Sequence, residues 1–350
     1  MNTQSIIKKS LAGEMLSAGE IRFLFEMPLF STESAMILAA GREKSEQACG
    51  GKAEVHAQIG LNVASCRRNC KFCAFAEINH VFNGSCEISA EQAIAEALEF
   101  EADGANAIFL MTTADYPFSK YIELSGKVCE ALKPETPLVA NVGDFSLRQA
   151  EQLKQAGFCG IYHAVRLGEG TDTTIPPEKR LRTFDYAMAA GLKLGTCLEP
   201  VGPEHAIDEL VEKTIITRDA FAVFSGAARR IPIPQTEMAK FGKVSEARLA
   251  HIVAVVRLAL GYDVPGNCTH EPNVISAAAG ANLLWAEVGS NPRDTEAETK
   301  NKRGMTVCEC RQVLEEAEWD VLDGPSVFYG DAKQQTLAEA KQLTADYRSV

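Results

Sequence analysis

Residues Ala53–Phe75 read AEVHAQIGLNVASCRRNCKFCAF. The first half alternates in polarity, which is the period of an extended strand. The second half crowds Cys66, Cys70 and Cys73 into a C-x3-C-x2-C spacing, with Arg67, Arg68, Asn69 and Lys71 between them. Cysteines kept for packing scatter along apolar faces, so three in one polar loop point to a bound metal. In an open doubly wound sheet the turn after the first strand is usually glycine-rich and cradles phosphate. Here thiols occupy that turn.

Outward from this stretch the chain alternates regularly. Two helical stretches precede it, Ser10–Phe25 and Thr32–Gln47, by their apolar spacing. After it, Ser89 and Gln92 open a helix that closes at Gly104. Apolar strands then recur at Asn106–Thr113, Pro137–Gly143, Cys159–Leu167, Leu192–Pro200, Ala220–Gly226, Tyr262–Cys268 and Ala281–Gly289, with helical patterns between them. Counted with the strand at Ala53, these make eight βα units. Strict alternation argues a parallel sheet, and eight units argue closure. The predicted fold is therefore α/β, a (β/α)8 TIM-type barrel over residues 53–290. A helical extension (1–52) precedes it and a helical tail (291–350) packs on it. Chemistry in such a barrel gathers at the carboxyl ends of the strands, where the cysteine loop falls.

Composition narrows the function. The chain has 350 residues, 46% apolar and 23% charged, with a formal net charge of −12. An acidic chain without a basic stripe does not suit phosphate backbones, so no nucleic-acid partner is expected. The amino-terminal segment lacks the apolar core of a signal peptide, and apolar runs such as IVAVV are too short for a bilayer. A cytoplasmic location without membrane contact is expected. Eleven cysteines in a reducing compartment are metal-binding, catalytic or buried rather than paired.

Two metal readings suit the cysteine loop. Zinc would take a fourth ligand, with His80 in reach. An iron-sulfur cubane normally takes one thiolate per iron, so three cysteines leave one iron open. The spacing, with Phe72 before the last cysteine, resembles the signature of the radical S-adenosylmethionine (SAM) superfamily. Residues Ala53–Gly289 are similar to its biotin synthase-like group, through RLRTFDYAMAAGLKLGTCLEPVGPE and AGANLLWAEVG in particular. The resemblance implies a [4Fe-4S] cluster on Cys66, Cys70 and Cys73. Its open iron would chelate SAM, which one electron cleaves to methionine and a 5′-deoxyadenosyl radical.

The resemblance also implies cofactor contacts. Phe72 would touch adenine. Thr112, Thr113 and Asp115 of MTTAD replace the usual Gly-Gly-Glu at the SAM amino group. Asn141 joins them from the barrel mouth. Arg166 and Glu169 of YHAVRLGEG match a polar segment, with the acid one place late, and helix-borne Arg180 would reach the SAM carboxylate. A low-potential donor, flavodoxin or ferredoxin, would supply the electron.

The family's sulfur-donating cluster positions correspond to Leu110, Val139 and Gly195, none of which ligates iron. Cys49 with His56, Cys197, Cys268 with His270, and Cys308 and Cys310 are candidates for a different auxiliary iron-sulfur site, although a C-x-C pair on a helix does not share a face. Cys86, Cys129 and Cys159 read as structural. Tyr162, His163, Glu199, Arg229, Arg230, Asn267, His270 and Glu271 are expected at the mouth. Of these, His163, Arg229, Arg230 and His270 are substrate candidates, because paired arginines suit a carboxylate. Three functions follow. One is hydrogen abstraction from a small carboxylate-bearing substrate, leading to rearrangement, lysis or cofactor maturation. A second is sulfur insertion with an unusual auxiliary cluster, and a third is a non-enzymatic metal module.

Overall fold

The computed structural model describes residues 2–300 and 302–330. Its amino-terminal part holds α1 (Thr3–Leu11), α2 (Ala18–Phe25) and α3 (Thr32–Cys49). The single helix expected over Ser10–Phe25 is thus two helices. Gly13 adopts φ +81°, which ends the first, and Ser17 with Glu20 forms a capping box that starts the second.

The elements that follow are β1 (Lys52–Gly60), β2 (Asn62–Val63), β3 (Cys86–Glu87), α4 (Ala90–Ala102), β4 (Ala107–Met111), α5 (Phe118–Ala131), β5 (Leu138–Asn141), α6 (Leu147–Gln155), β6 (Gly160–Tyr162), α7 (Pro177–Ala189), β7 (Lys193–Gly195), β8 (Leu198–Val201), α8 (Ile207–Asp219), β9 (Phe224–Arg229), α9 (Glu246–Ala259), β10 (Gly266–Cys268), α10 (Val274–Ala278), β11 (Leu283–Gly289), α11 (Val307–Glu316) and β12 (Asp320–Val321). Eight parallel strands, in the order β1-β4-β5-β6-β7-β9-β10-β11, close on one another between β11 and β1. The closed eight-stranded barrel is the expected one. The fifth predicted strand divides into β7 and β8, and β8 pairs with β9 above the barrel wall.

The alternation of β1 sorts its two faces. Val55, Ala57 and Ile59 turn outward into the layer packed under the helices. His56 lies inside, ringed by Phe109, Phe224, Trp285, Phe328 and Tyr329 at centroid separations of 5.4–6.1 Å. Glu54 accepts from His56 Nε2 at 2.8 Å and from the Val327 backbone N–H at 2.8 Å, and neither side chain is exposed. A buried carboxylate is tolerable only when bonded in this way.

Phe328 and Tyr329 come from the carboxyl-terminal segment, which plugs the barrel floor. The expected helical tail is therefore mixed among its described residues: one helix, a short strand that pairs with β1, and this plug. The part of that expectation on residues 331–350 lies outside the described residues. Among the described residues, no helix is long and apolar enough to cross a membrane.

Floor packing also explains one interior position. A Cβ on Gly195 would come within 2.2 Å of the Phe224 ring, so Gly195 keeps room for an aromatic. Val139 does face inward, whereas Leu110 packs outward beneath the helices and Phe109 takes the inner face beside it.

Candidate active site

The loop after β1 is tied at both ends. Cys66 N–H donates to Phe75 O at 2.8 Å, and Ala74 N–H donates to Pro292 O at 2.9 Å. Asn79 spans the turn, with Nδ2 donating to Cys70 O at 3.1 Å and Cys73 O at 2.8 Å. Asn69 takes φ +48°, a conformation that Asn accepts more readily than most residues. Held in this way, Cys66, Cys70 and Cys73 line one end of a cavity at the carboxyl face of the barrel.

Their spacing bears on the metal. A single ion needs its donors close together, and among the described residues the only such trio within 4.8 Å is Cys197, Cys268 and His270. The loop cysteines are more widely set, as three corners of a cubane require. His80 is exposed on the far side of a short helical turn, so the fourth zinc ligand considered from the sequence is out of place. Burial pushes Cys70 up to about 11 and Cys73 further still. These thiols stay protonated until a bound metal displaces the proton. The donor set therefore fits an iron-sulfur cluster.

The cavity is also lined by Phe72, Thr112, Thr113, Asn141, Arg166, Arg180, Arg230 and His270, which brings most of the candidates together. Thr113 is locked by a reciprocal pair of bonds with Asn62, each 3.0 Å. Asn141 donates to Gln58 at 2.8 Å, and Gln58 lines the same space. Arg166 faces Glu199 at 3.3 Å.

Four candidates stand behind the wall. Asp115 accepts from Arg67 N–H at 2.9 Å and from Arg68 at 2.6 Å, so it braces the cysteine loop. Glu169 accepts from Arg180 Nε at 3.1 Å and from Thr173 at 2.7 Å. It holds Arg180 in place rather than meeting the cavity. His163 joins Asp144 at 3.0 Å and Arg180 at 3.3 Å. Arg229 donates to Val244 O at 3.3 Å and Glu246 at 3.1 Å, away from the cavity. Asn267, expected at the mouth, is spent on backbone carbonyls beneath α9 and α10.

Of the predicted auxiliary set, the ligand atoms of Cys197, Cys268 and His270 come within 4.8 Å of one another, whereas Cys49, Cys308 and Cys310 do not join them. Cys268 is inside the barrel, Cys49 ends α3, Cys308 is exposed, and Cys310 is buried with its thiol on Trp285 O at 3.3 Å. Cys86, read as structural, is exposed. Sequence reasoning missed Gln58, Asn291 and Arg293, all of which line the cavity. Arg293 bonds Glu271 at 2.7 Å and Glu287 at 2.6 Å. Its signal was its place just after the last strand, at the face where barrels gather chemistry.

His163 sets a pH dependence. Complete burial holds it down to about 4, against the partial opposing pull of Asp144. Between pH 6.5 and 4 the unfolded chain then binds one proton more than the folded chain, so stability falls as pH falls through that window. A loss of about 2 kcal/mol between pH 7 and pH 5 is expected. Urea midpoints at the two pH values measure it. The loss should shrink in His163→Gln; an unchanged slope would assign it to other groups.

Comparison with known proteins agrees with this geometry. The radical SAM superfamily model matches residues 63–215. Biotin synthase of Anaplasma marginale (strain Florida) is 24% identical over 279 residues, covering 75% of this chain and 84% of the relative. Biotin synthase of Desulforudis audaxviator is 23% identical over 266 residues, covering 73% and 79%. Among solved structures, the FeFe-hydrogenase maturase HydG of Carboxydothermus hydrogenoformans superimposes with a TM-score of 0.76 at 19% identity, covering 99% of this chain and 84% of its own. Methylornithine synthase (PylB) gives 0.74 at 16% identity, covering 98% and 99%. A barrel of this shape, with three cysteines after its first strand and a radical SAM domain match over residues 63–215, supports a radical SAM enzyme similar to the biotin synthase-like group.

Proposed function

We propose that this enzyme abstracts hydrogen from a small carboxylate-bearing molecule held in the barrel mouth. The observation that carries the reading is one continuous cavity. Cys66, Cys70 and Cys73 stand at one end of it, and Tyr162, Arg230, His270 and Arg293 contribute to its lining. Cys66, Cys70 and Cys73 would hold the [4Fe-4S] cluster, with Phe72, Thr112, Asn141, Arg166 and Arg180 around SAM. When bound, the cluster and SAM supply a 5′-deoxyadenosyl radical on one-electron reduction by a flavodoxin or ferredoxin.

The chain's own residues position and shield. Arg180 is fixed by two buried carboxylates, Asp144 and Glu169, and so presents its charge at a set place. Pre-paired groups of this kind lose little freedom when a ligand arrives. Arg230 bonds Glu204 through both terminal nitrogens, Nη2 at 2.9 Å, and Nη2 also donates to Gly242 O at 3.1 Å; only its buried Nε has no partner. The aromatic floor keeps water out of the lower barrel.

The test is anaerobic reconstitution with iron, sulfide and SAM, followed by a screen of small amino and hydroxy acids for substrate-dependent 5′-deoxyadenosine. With a substrate in hand, Arg230→Ala should raise KM about 10- to 100-fold, the worth of a charge-assisted hydrogen bond. Arg229→Ala, outside the cavity, should leave KM unchanged. Equal effects of the two variants would remove the carboxylate assignment, and zinc on the loop cysteines would remove the reaction class.

A further inference from the structure

We propose that Cys197, Cys268 and His270 form a second metal site, a mononuclear one, beneath the substrate chamber. It would take a single thiophilic divalent ion such as Zn2+ or Fe2+. The argument starts from strand geometry. Cys268 and His270 are two residues apart at the end of β10, so their side chains leave on the same, inward face. Cys197 lies two residues beyond inward-facing Gly195 at the exit of β7. Strand β9 runs between the two, pairing with β7 at Phe224 and with β10 through Gly226 opposite Cys268. Gly226 has no side chain, so nothing from β9 separates the two thiols there.

The ligand atoms of all three residues lie within 4.8 Å of one another. A tetrahedral ion with bonds of about 2.3 Å to sulfur and 2.0–2.1 Å to nitrogen sets its donors roughly 3.5–3.8 Å apart. A small inward adjustment closes that difference. A two-iron cluster would spread one donor farther from the other two.

Two further observations point to an occupant. His270 Nε2 is buried with no hydrogen-bond partner, and the Tyr162 hydroxyl reaches only Glu199 and the Cys197 thiol. Orphans of this kind are rare in native proteins and call for a ligand. The imidazole is also held in place, with Trp285 at 4.4 Å and Tyr162 at 5.3 Å between ring centroids. Cys197 and Cys268 are fully buried, whereas His270 lines the chamber, so the fourth position of a bound ion opens toward the substrate. A substrate thiol, amine or carboxylate is the class of group that binds there.

This site does not depend on the cysteine loop, and the test separates the two. Full-length protein with Cys66, Cys70 and Cys73 all changed to Ser is purified without air, dialysed and titrated with Co2+. The expected result is one ion per chain, with the thiolate-to-cobalt charge-transfer band and tetrahedral d–d bands. Adding Cys268→Ser or His270→Gln should weaken Co2+ binding by at least about a hundredfold. The same comparison in the cluster-bearing wild-type background uses elemental analysis: Cys197→Ser should lose one metal equivalent while the SAM-binding cluster's paramagnetic signal stays. No tetrahedral cobalt spectrum, a Cys197–Cys268 disulfide in metal-free protein, or two irons with labile sulfide in the triple variant would each overturn the proposal.

Discussion

Changing any one of Cys66, Cys70 or Cys73 to Ala reduces 5′-deoxyadenosine formation by at least about a thousandfold, because the cofactor carries the chemistry and the protein only positions it. The fold survives this change. Cys70 and Cys73 are partly exposed in a loop, and the loop's course rests on backbone bonds and on Asn79 rather than on the thiols. Cys66 packs only in a small cluster with Val63, Phe75 and Met111, apart from the main core. Truncating it costs packing on the order of 1 kcal/mol, because the thiol is small. Iron and sulfide content, the reduced cluster's paramagnetic signal and far-UV circular dichroism together measure the outcome. Full iron content and SAM cleavage in all three variants would sink the cluster assignment.

Arg180→Met has the largest effect expected on stability. Arg180 is buried between Glu169, to which its Nε donates at 3.1 Å, and Asp144, to which its Nη1 donates at 3.3 Å, in a network that His163 and Thr173 complete. Removing one partner of a buried pair leaves an uncompensated charge, which costs about 3–5 kcal/mol. Here the stranded group is Glu169, which keeps only Thr173 and the Arg166 backbone N–H. Asp144 keeps His163 and Lys179. Today the His163 hydrogen bond and Arg180 hold the Asp144 carboxyl well below its usual range, and the variant raises it. The double variant Arg180→Met with Glu169→Gln should recover part of the loss, since the stranded charge is gone. Urea unfolding of the four-member cycle measures the coupling. A cost below about 1 kcal/mol would mean that water already reaches this network. SAM affinity should fall in Arg180→Met as well, because the guanidinium also faces the cavity.

Some features were legible because they are local. The polarity alternation of Ala53–Gly60 and the recurring apolar strands show in short windows, and strand count with alternation then leaves few topologies. The cysteine loop was legible for the same reason, since its donors lie within eight residues. Arg229 and Arg230 show where this stops. They are adjacent in the chain, yet one donates to Val244 and Glu246 while the other reaches the cavity, and opposite-facing neighbours on a strand cannot be ranked without knowing which face is inside. Asp115 and Glu169 were drawn to the site by position, but nearby arginines claim both carboxylates.

The amino-acid sequence alone determined the closed parallel barrel and the thiol loop at its carboxyl end, because periodicity and spacing are properties of neighbours along the chain. Tertiary structure alone decided that Phe328 and Tyr329 fill the floor, that Arg293 enters the cavity, and that Cys197 meets Cys268 and His270. Those meetings depend on strand register and on the packing of segments far apart in the chain, and no local pattern encodes them.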